Sequence, residues 1–291
     1  MKKVFFIEHG GVMQDLIPYF KVVFTIDEAD VVLLWQDVIG FPKSYANLAK
    51  AKNKKVVVIQ HGFNAMDDYG PPNSYELLAD KVCVWGQNDV NMLKLFGISS
   101  KRYELTGTTI FSHLKPKQKH GGVNVLFKPA HWDVEVEENY QVMEELRRIK
   151  GINLFTKIHE SHKKEMFENP ITTDREAYNH LEVCGETLAK TDIMVGVGNE
   201  GTLGLMGYAK DIPMIIPNVW KPRIFLNGPT PEMKYTQASH IVELSELKGA
   251  IYNAVEHPEF KREERKYVAE YYGGINIENP LDRILTIINS L

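Results

Sequence analysis

The 291-residue sequence holds only two cysteines, Cys83 and Cys184, far apart and in no metal-ligand spacing. That scarcity excludes a disulfide-stapled scaffold and a cysteine zinc site. Cys83 lies inside the apolar run Val82–Trp85, so both thiols are expected to be reduced and partly buried. An excess of positive charge is also missing. With 34 Lys and Arg against 38 Asp and Glu, the net charge is −4, and the pI is about 6.2. A nucleic-acid binder needs cations to neutralise phosphates, so nucleic acid is not the favoured partner. The local stretch Lys115–Lys119 could form a basic patch, but a solvated linker is the simpler reading. No apolar run approaches a membrane span. The apolar start ends at Glu8-His9-Gly10, too soon for the core of a signal peptide, which makes a cytoplasmic location the expectation.

What is present is enough hydrophobic residue, 44%, balanced by 25% charged residue, to build sizeable cores. Short runs rich in Val, Ile and Phe recur at Lys3–Ile7, Val31–Trp35, Lys55–Ile59, Lys81–Trp85 and Glu104–Leu105. Continuous apolar runs of this length suit strands covered on both faces, as in a parallel sheet built from βαβ units. The polar stretch Lys115–Gly122 interrupts the rhythm. It then resumes with strands at Val123–Lys128, Asn153–Ile158, Ile193–Val197 and Pro213–Ile216, and helices near Val134–Ile149, Tyr178–Lys190 and Leu203–Ala209. Leu281, Ile284, Leu285 and Ile288 have helical spacing in Pro280–Leu291. Two βαβ stacks divided by a linker near residue 118 are therefore expected, 1–118 and 119–279, followed by a helix over 280–291.

Gly196, Gly198 and Gly201 match G-x-G-x-x-G, directly after one predicted strand and at the start of a predicted helix. Glycines permit a tight turn and close backbone approach, and free N–H groups at a helix start attract phosphate. Thr202 could add a hydroxyl donor. A dinucleotide site would place this loop after the first strand, with an acidic residue about 20 positions on. Here the loop comes late and the downstream segment is Pro217–Pro222. Phosphate or diphosphate binding fits better, and a purely structural turn stays open.

Two histidines stand at predicted strand ends. His61 follows Val56–Gln60, where open α/β sheets place ligands, and can take a proton near neutral pH. A histidine that merely closes a turn is the bland alternative. His159 follows Lys157 by two positions, so both could face phosphate oxygens. His159-Glu160-Ser161-His162 is one residue short of a zinc-binding H-E-x-x-H, and no metal is expected. Asp67 and Asp68 could orient His61 or bind an acceptor, though a solvated turn also explains them.

In order, Gln60–Asn64, Lys157–His159, and Asp192–Gly201 followed by Lys210–Pro213 resemble GT-B-type transferases. The resemblance is nearest to CDP-glycerol glycerophosphotransferase-like and capsule-type families. Val84–Gly86, Leu105–Thr108 and Val125–Pro129 are similar to further stretches of that group, and the match covers about residues 55 to 217. The resemblance implies two Rossmann-like domains facing a central cleft, a GT-B-like fold, with the final helix crossing back to the first domain. It implies a metal-independent glycosyltransferase without a bound cofactor, moving a sugar from a nucleotide-activated donor to a hydroxyl-bearing acceptor. His61 would act as base. Lys128, Lys157, His159, Gly198, Asn199, Glu200, Gly201 and Thr202 would hold the donor, Glu200 through the ribose or another role. Gly10, Gly11, Asn64 and Asp67 would lie on the acceptor side. The Asn199-Glu200 loop departs from the phosphotransferase pattern, and a glutamate, Glu160, stands where that group has proline. The Asn-Glu-Gly loop and the His-Gly pair are also similar to non-hydrolysing UDP-N-acetylglucosamine 2-epimerases, although this chain lacks their His-Arg-Arg-Glu-Asn-type stretch. Epimerase and glycerophosphotransferase activities are the alternatives.

Overall fold

The structure, a computed structural model, describes residues 1–7, 13–37, 40–62, 77–130, 136–158, 167–171, 180–198, 201–219, 224–225, 228–229 and 237–291. Two compact units divide the chain: Met1–Ser112 with Glu270–Leu291, and His113–Ala269.

The sheet of the first unit contains β1 (Lys3–Phe6), β2 (Lys21–Val22), β3 (Val31–Leu34), β4 (Lys55–Ile59), β5 (Lys81–Val84) and β6 (Tyr103–Leu105). All pairs are parallel, in the order β2-β1-β3-β4-β5-β6. Helices α1 (Gly40–Ala51) and α2 (Gln87–Leu95) connect strands in this unit. Every residue of β3 is 0% exposed, as are Val56, Val57 and Val58 of β4. Two-sided burial is why these segments read as unbroken apolar runs rather than alternating ones. Each such side chain contributes about 1.5–3 kcal/mol relative to exposure.

The second unit repeats the plan with β7 (Val123–Lys128), α3 (Val136–Arg148), β8 (Ile152–Lys157), β9 (Pro170–Ile171), α4 (His180–Ala189), β10 (Ile193–Gly196), α5 (Gly201–Ala209) and β11 (Met214–Pro217). A small antiparallel pair, β12 (Ile224–Phe225) and β13 (Gly228–Pro229), precedes β14 (His240–Val242) and α6 (Leu247–Glu256). Its parallel sheet runs β14-β11-β10-β7-β8-β9. The two α/β sheets are those expected from the rhythm of apolar runs. The short edge strands β2, β9 and β14 were not foreseen.

The division between units falls at Ser112–His113, not at residue 118, because the supposed linker is anchored to the second unit. Gln118 N donates to Ala189 O at 2.7 Å, Lys117 pairs with Asp192 at 2.9 Å, and Lys210 donates to Lys115 O at 2.7 Å. Of the cations that made the stretch look like a basic patch, Lys117 is thereby paired with Asp192, and Lys115 Nζ lies 3.7 Å from Glu182.

The return to the first unit begins at Glu270, ten residues before Pro280, inside α7 (Arg262–Gly273). Early in α7, Arg265 is 1% exposed and donates to Asp211 Oδ1 at 2.6 and 2.9 Å and to Pro258 O at 2.6 Å. The helix α8 (Pro280–Ser290) buries Ile284 and Ile288. Lys2 donates to Ile288 O at 2.9 Å and Asn289 O at 3.0 Å, satisfying carbonyls left open at its end.

Gly86 explains how closely the returning chain packs. A Cβ there would lie 2.3 Å from Tyr271 O and 2.5 Å from Tyr272 C. Backbone cannot yield as a side chain does, so Gly86→Ala is expected to destabilise the protein by about 1–3 kcal/mol. Urea unfolding of the variant checks this; an unchanged midpoint would contradict the packing.

Candidate functional site

In the second sheet the chain moves one way from β7 to β8 and β9, then returns to the other side of β7 for β10, β11 and β14. The order reverses between β7 and β10, and open α/β sheets bind ligands at the carboxyl ends flanking such a reversal. Lys128 ends β7 and is in register with Gly196, the last residue of β10. Val197 N donates to Lys128 O at 3.0 Å, which holds the two strand ends together.

The glycine loop leaves from this point. Gly198 has φ +78° and Gly201 φ +58°, backbone conformations that side chains with a Cβ rarely adopt. Helix α5 starts at Gly201, with Thr202 in its first turn, so its first N–H groups have no acceptor within the helix itself. A Cβ on Gly207 would sit 2.4 Å from Met194 Sδ, so α5 lies close against β10. Strand, loop and helix therefore have the arrangement that accepts an anion. Asn199 and Glu200 lie outside the described residues.

Lys157 ends β8, beside β7, and is 7% exposed. Its Nζ donates to Ile158 O at 3.2 Å, one of the three bonds an ammonium can make. Burial pulls its pKa below the ordinary lysine value, and the neighbouring Cys184 opposes that shift. Burial pushes the Cys184 thiol up to about 11. Half-buried Lys128 and buried Lys157 thus end adjacent strands at the same edge as the glycine loop. His159, which the sequence pairs with Lys157, lies outside the described residues.

The first sheet reverses between β1 and β3. His61 follows β4, next to β3, so it too stands at a carboxyl edge. Its Nδ1 is 3.3 Å from Trp35 O, and the Trp35 ring meets the imidazole edge-on at 6.2 Å. A carbonyl can only accept, so Nδ1 carries the hydrogen and Nε2 keeps a lone pair in the neutral ring. The ring keeps solvent access but is crowded by protein. That desolvation lowers its pKa below the ordinary histidine value, against the opposing bond to Trp35. A neutral imidazole with free Nε2 can serve as a base. Gly10, Gly11, Asn64 and Asp67 lie outside the described residues.

Trp35 was not among the candidates. Its part depends on β3 and β4 being neighbours, which no local motif reveals. The sequence also gave no sign of a cavity of about 490 Å³ in the first unit, lined by Asp15, Thr108, Thr109, Ile275 and Leu281 among others. It includes neither His61 nor any cation, so it does not suit a phosphate. Among the described residues no cluster of three metal-ligating side chains occurs, and no helix is long and apolar enough to cross a membrane.

Comparison with solved structures assigns the fold. A Listeria monocytogenes protein assigned as a UDP-N-acetylglucosamine 2-epimerase is 15% identical, with a TM-score of 0.64 over 99% of this chain and 96% of its own. The wall teichoic acid polymerase TagF is 13% identical, with a TM-score of 0.64 over 99% and 88%. Anabaena HepE, solved with UDP-glucose, is 10% identical, with a TM-score of 0.58 over 100% of both chains. The chain has a GT-B-like fold of two Rossmann-like domains. No family model matches it, and no curated protein does.

The surroundings of Lys157 can be checked through its neighbour. With Cys184 at about 11 and Cys83 at about 12, neither thiol forms appreciable thiolate near neutral pH. Ellman's reagent is expected to label neither until denaturant is added, and rapid labelling of the native protein would contradict this packing.

Proposed function

We propose that this protein is a glycosyltransferase that moves a sugar from a nucleotide-activated donor to an acceptor hydroxyl. The observation that carries this reading is the glycine loop between β10 and α5, at the reversal point of the second sheet and at the same sheet edge as Lys128 and Lys157. HepE was solved with UDP-glucose and a Neisseria meningitidis epimerase with UDP-GlcNAc, which supports a nucleotide sugar as the ligand.

In this reading the acceptor oxygen attacks the anomeric carbon as its proton passes to His61 Nε2. The bond from that carbon to the phosphate oxygen breaks, and the nucleotide leaves with the electron pair. Lys157, Lys128 and the first N–H groups of α5 stabilise the charge that grows on the phosphate, an electrostatic contribution that is usually the largest in such catalysis. His159, Asn199, Glu200 and Thr202 are proposed to complete the donor site, and Gly10, Gly11, Asn64 and Asp67 the acceptor side.

The neighbouring epimerase structures supply one alternative: interconversion of UDP-sugars without any acceptor. Incubation with UDP-glucose or UDP-GlcNAc separates the two. A transferase releases UDP only when an acceptor is added, whereas accumulation of an epimeric UDP-sugar with no acceptor would overturn the reading.

Two further outcomes follow from His61. Its replacement by alanine is expected to lower kcat by about 10²–10⁴-fold while the protein stays folded. Because burial lowers the His61 pKa, the neutral base survives to lower pH. The acid limb of kcat/KM should therefore fall below the ordinary value of 6.5 and vanish in the alanine variant. A limb above that value would contradict His61 as the base.

A further inference from the structure

The ladder between β4 and β5 ends in an exchange of main-chain and side-chain partners. Gln60 N donates to Cys83 O at 3.1 Å, as a parallel pair requires. The next rung of a regular ladder would run from Trp85 N to Gln60 O. Instead, Trp85 N donates to the Gln60 side-chain Oε1 at 2.8 Å. The displaced carbonyl, Gln60 O, accepts from the Trp85 indole Nε1, also at 2.8 Å. The remaining end of the Gln60 amide, Nε2, reaches forward to Gly62 O at 3.1 Å. Both side chains are 1% exposed.

This arrangement grips the backbone on both sides of His61, at residue 60 through the indole and at residue 62 through the amide. Trp85 is itself immobilised. A Cβ on Gly274 would lie 2.2 Å from Trp85 O, and Gly86 is pressed against the Tyr271 and Tyr272 backbone. A bare strand end would leave the His61 backbone free to turn; here four hydrogen bonds and a close-packed wall set its direction.

We propose that Gln60 and Trp85 are positioning residues for His61, holding its backbone so that the imidazole stays on Trp35 O with Nε2 free. The catalytic consequence rests on His61 acting as the base, but the positioning itself does not. Neither residue needs to touch a substrate.

NMR titration of the His61 imidazole tests this, with its signal assigned by its loss in His61→Asn. Trp85→Phe keeps an aromatic ring but removes the indole N–H, and Gln60→Met keeps the length but removes the amide. In either folded variant the ring is expected to leave its crowded seat, and its pKa to rise toward the ordinary histidine value. With UDP-glucose as donor, kcat should fall about 10- to 100-fold while KM for the donor is unchanged, as expected for a misplaced base. If Trp85→Phe does not fold, Gln60→Met decides. A lowered melting temperature with an unmoved His61 titration would overturn the proposal, leaving a clamp of structural value only. A shifted titration alongside full activity of His61→Ala would instead refute the base and leave the positioning intact.

Discussion

Covering a parallel sheet on both faces is the constraint on which the rest of this protein depends. Strands such as Val31–Leu34 and Ile193–Gly196 have no solvent-facing side, so polar chemistry cannot be placed along them without a burial penalty. Its place is at the strand ends, and in each unit the candidate groups gather at the carboxyl edge. His61 follows β4 in the first unit; Lys128, Lys157 and the glycine loop follow or end β7, β8 and β10 in the second. Where the strand order reverses, neighbouring connections leave in opposite directions and open room for a ligand.

The same constraint made much of the fold legible. Central strands stood out because two-sided burial demands uninterrupted Val, Ile and Leu, and the chain between them shows helical spacing. Three of the four edge strands did not stand out. Lys21–Val22, Pro170–Ile171 and His240–Val242 are two or three residues long, too short to show any period. The anchoring of Lys115–Lys119 was hidden for a different reason. Its composition is that of a linker, but Gln118, Lys117 and Lys115 all find partners in the second unit, and pairing across long sequence separation leaves no local trace.

The candidate site was legible where geometry is local. Gly198 and Gly201 carry the positive φ angles that a tight loop before a helix requires, and the motif encodes that need directly. Support for His61 was not legible, because Trp35 lies 26 residues away and Trp85 lies 25 residues from Gln60. Each contact depends on which strands are neighbours, and the apolar pattern specifies strands without their order. Lys157 lies between these cases. Its position in Leu154–Ile158 marked it, but its near-complete burial, which gives the cation its force, emerges only from packing.

The central claim is that the donor's phosphate is gripped where β10 meets α5. Hydrogen exchange with and without UDP reads this directly, since the amides in question are the ones expected to bond the phosphate. The account predicts slowed exchange at Gly201, Thr202 and the following turn of α5, with a smaller effect at the end of β8. Protection confined to the first unit, with the α5 amides unchanged at saturating UDP, would contradict it.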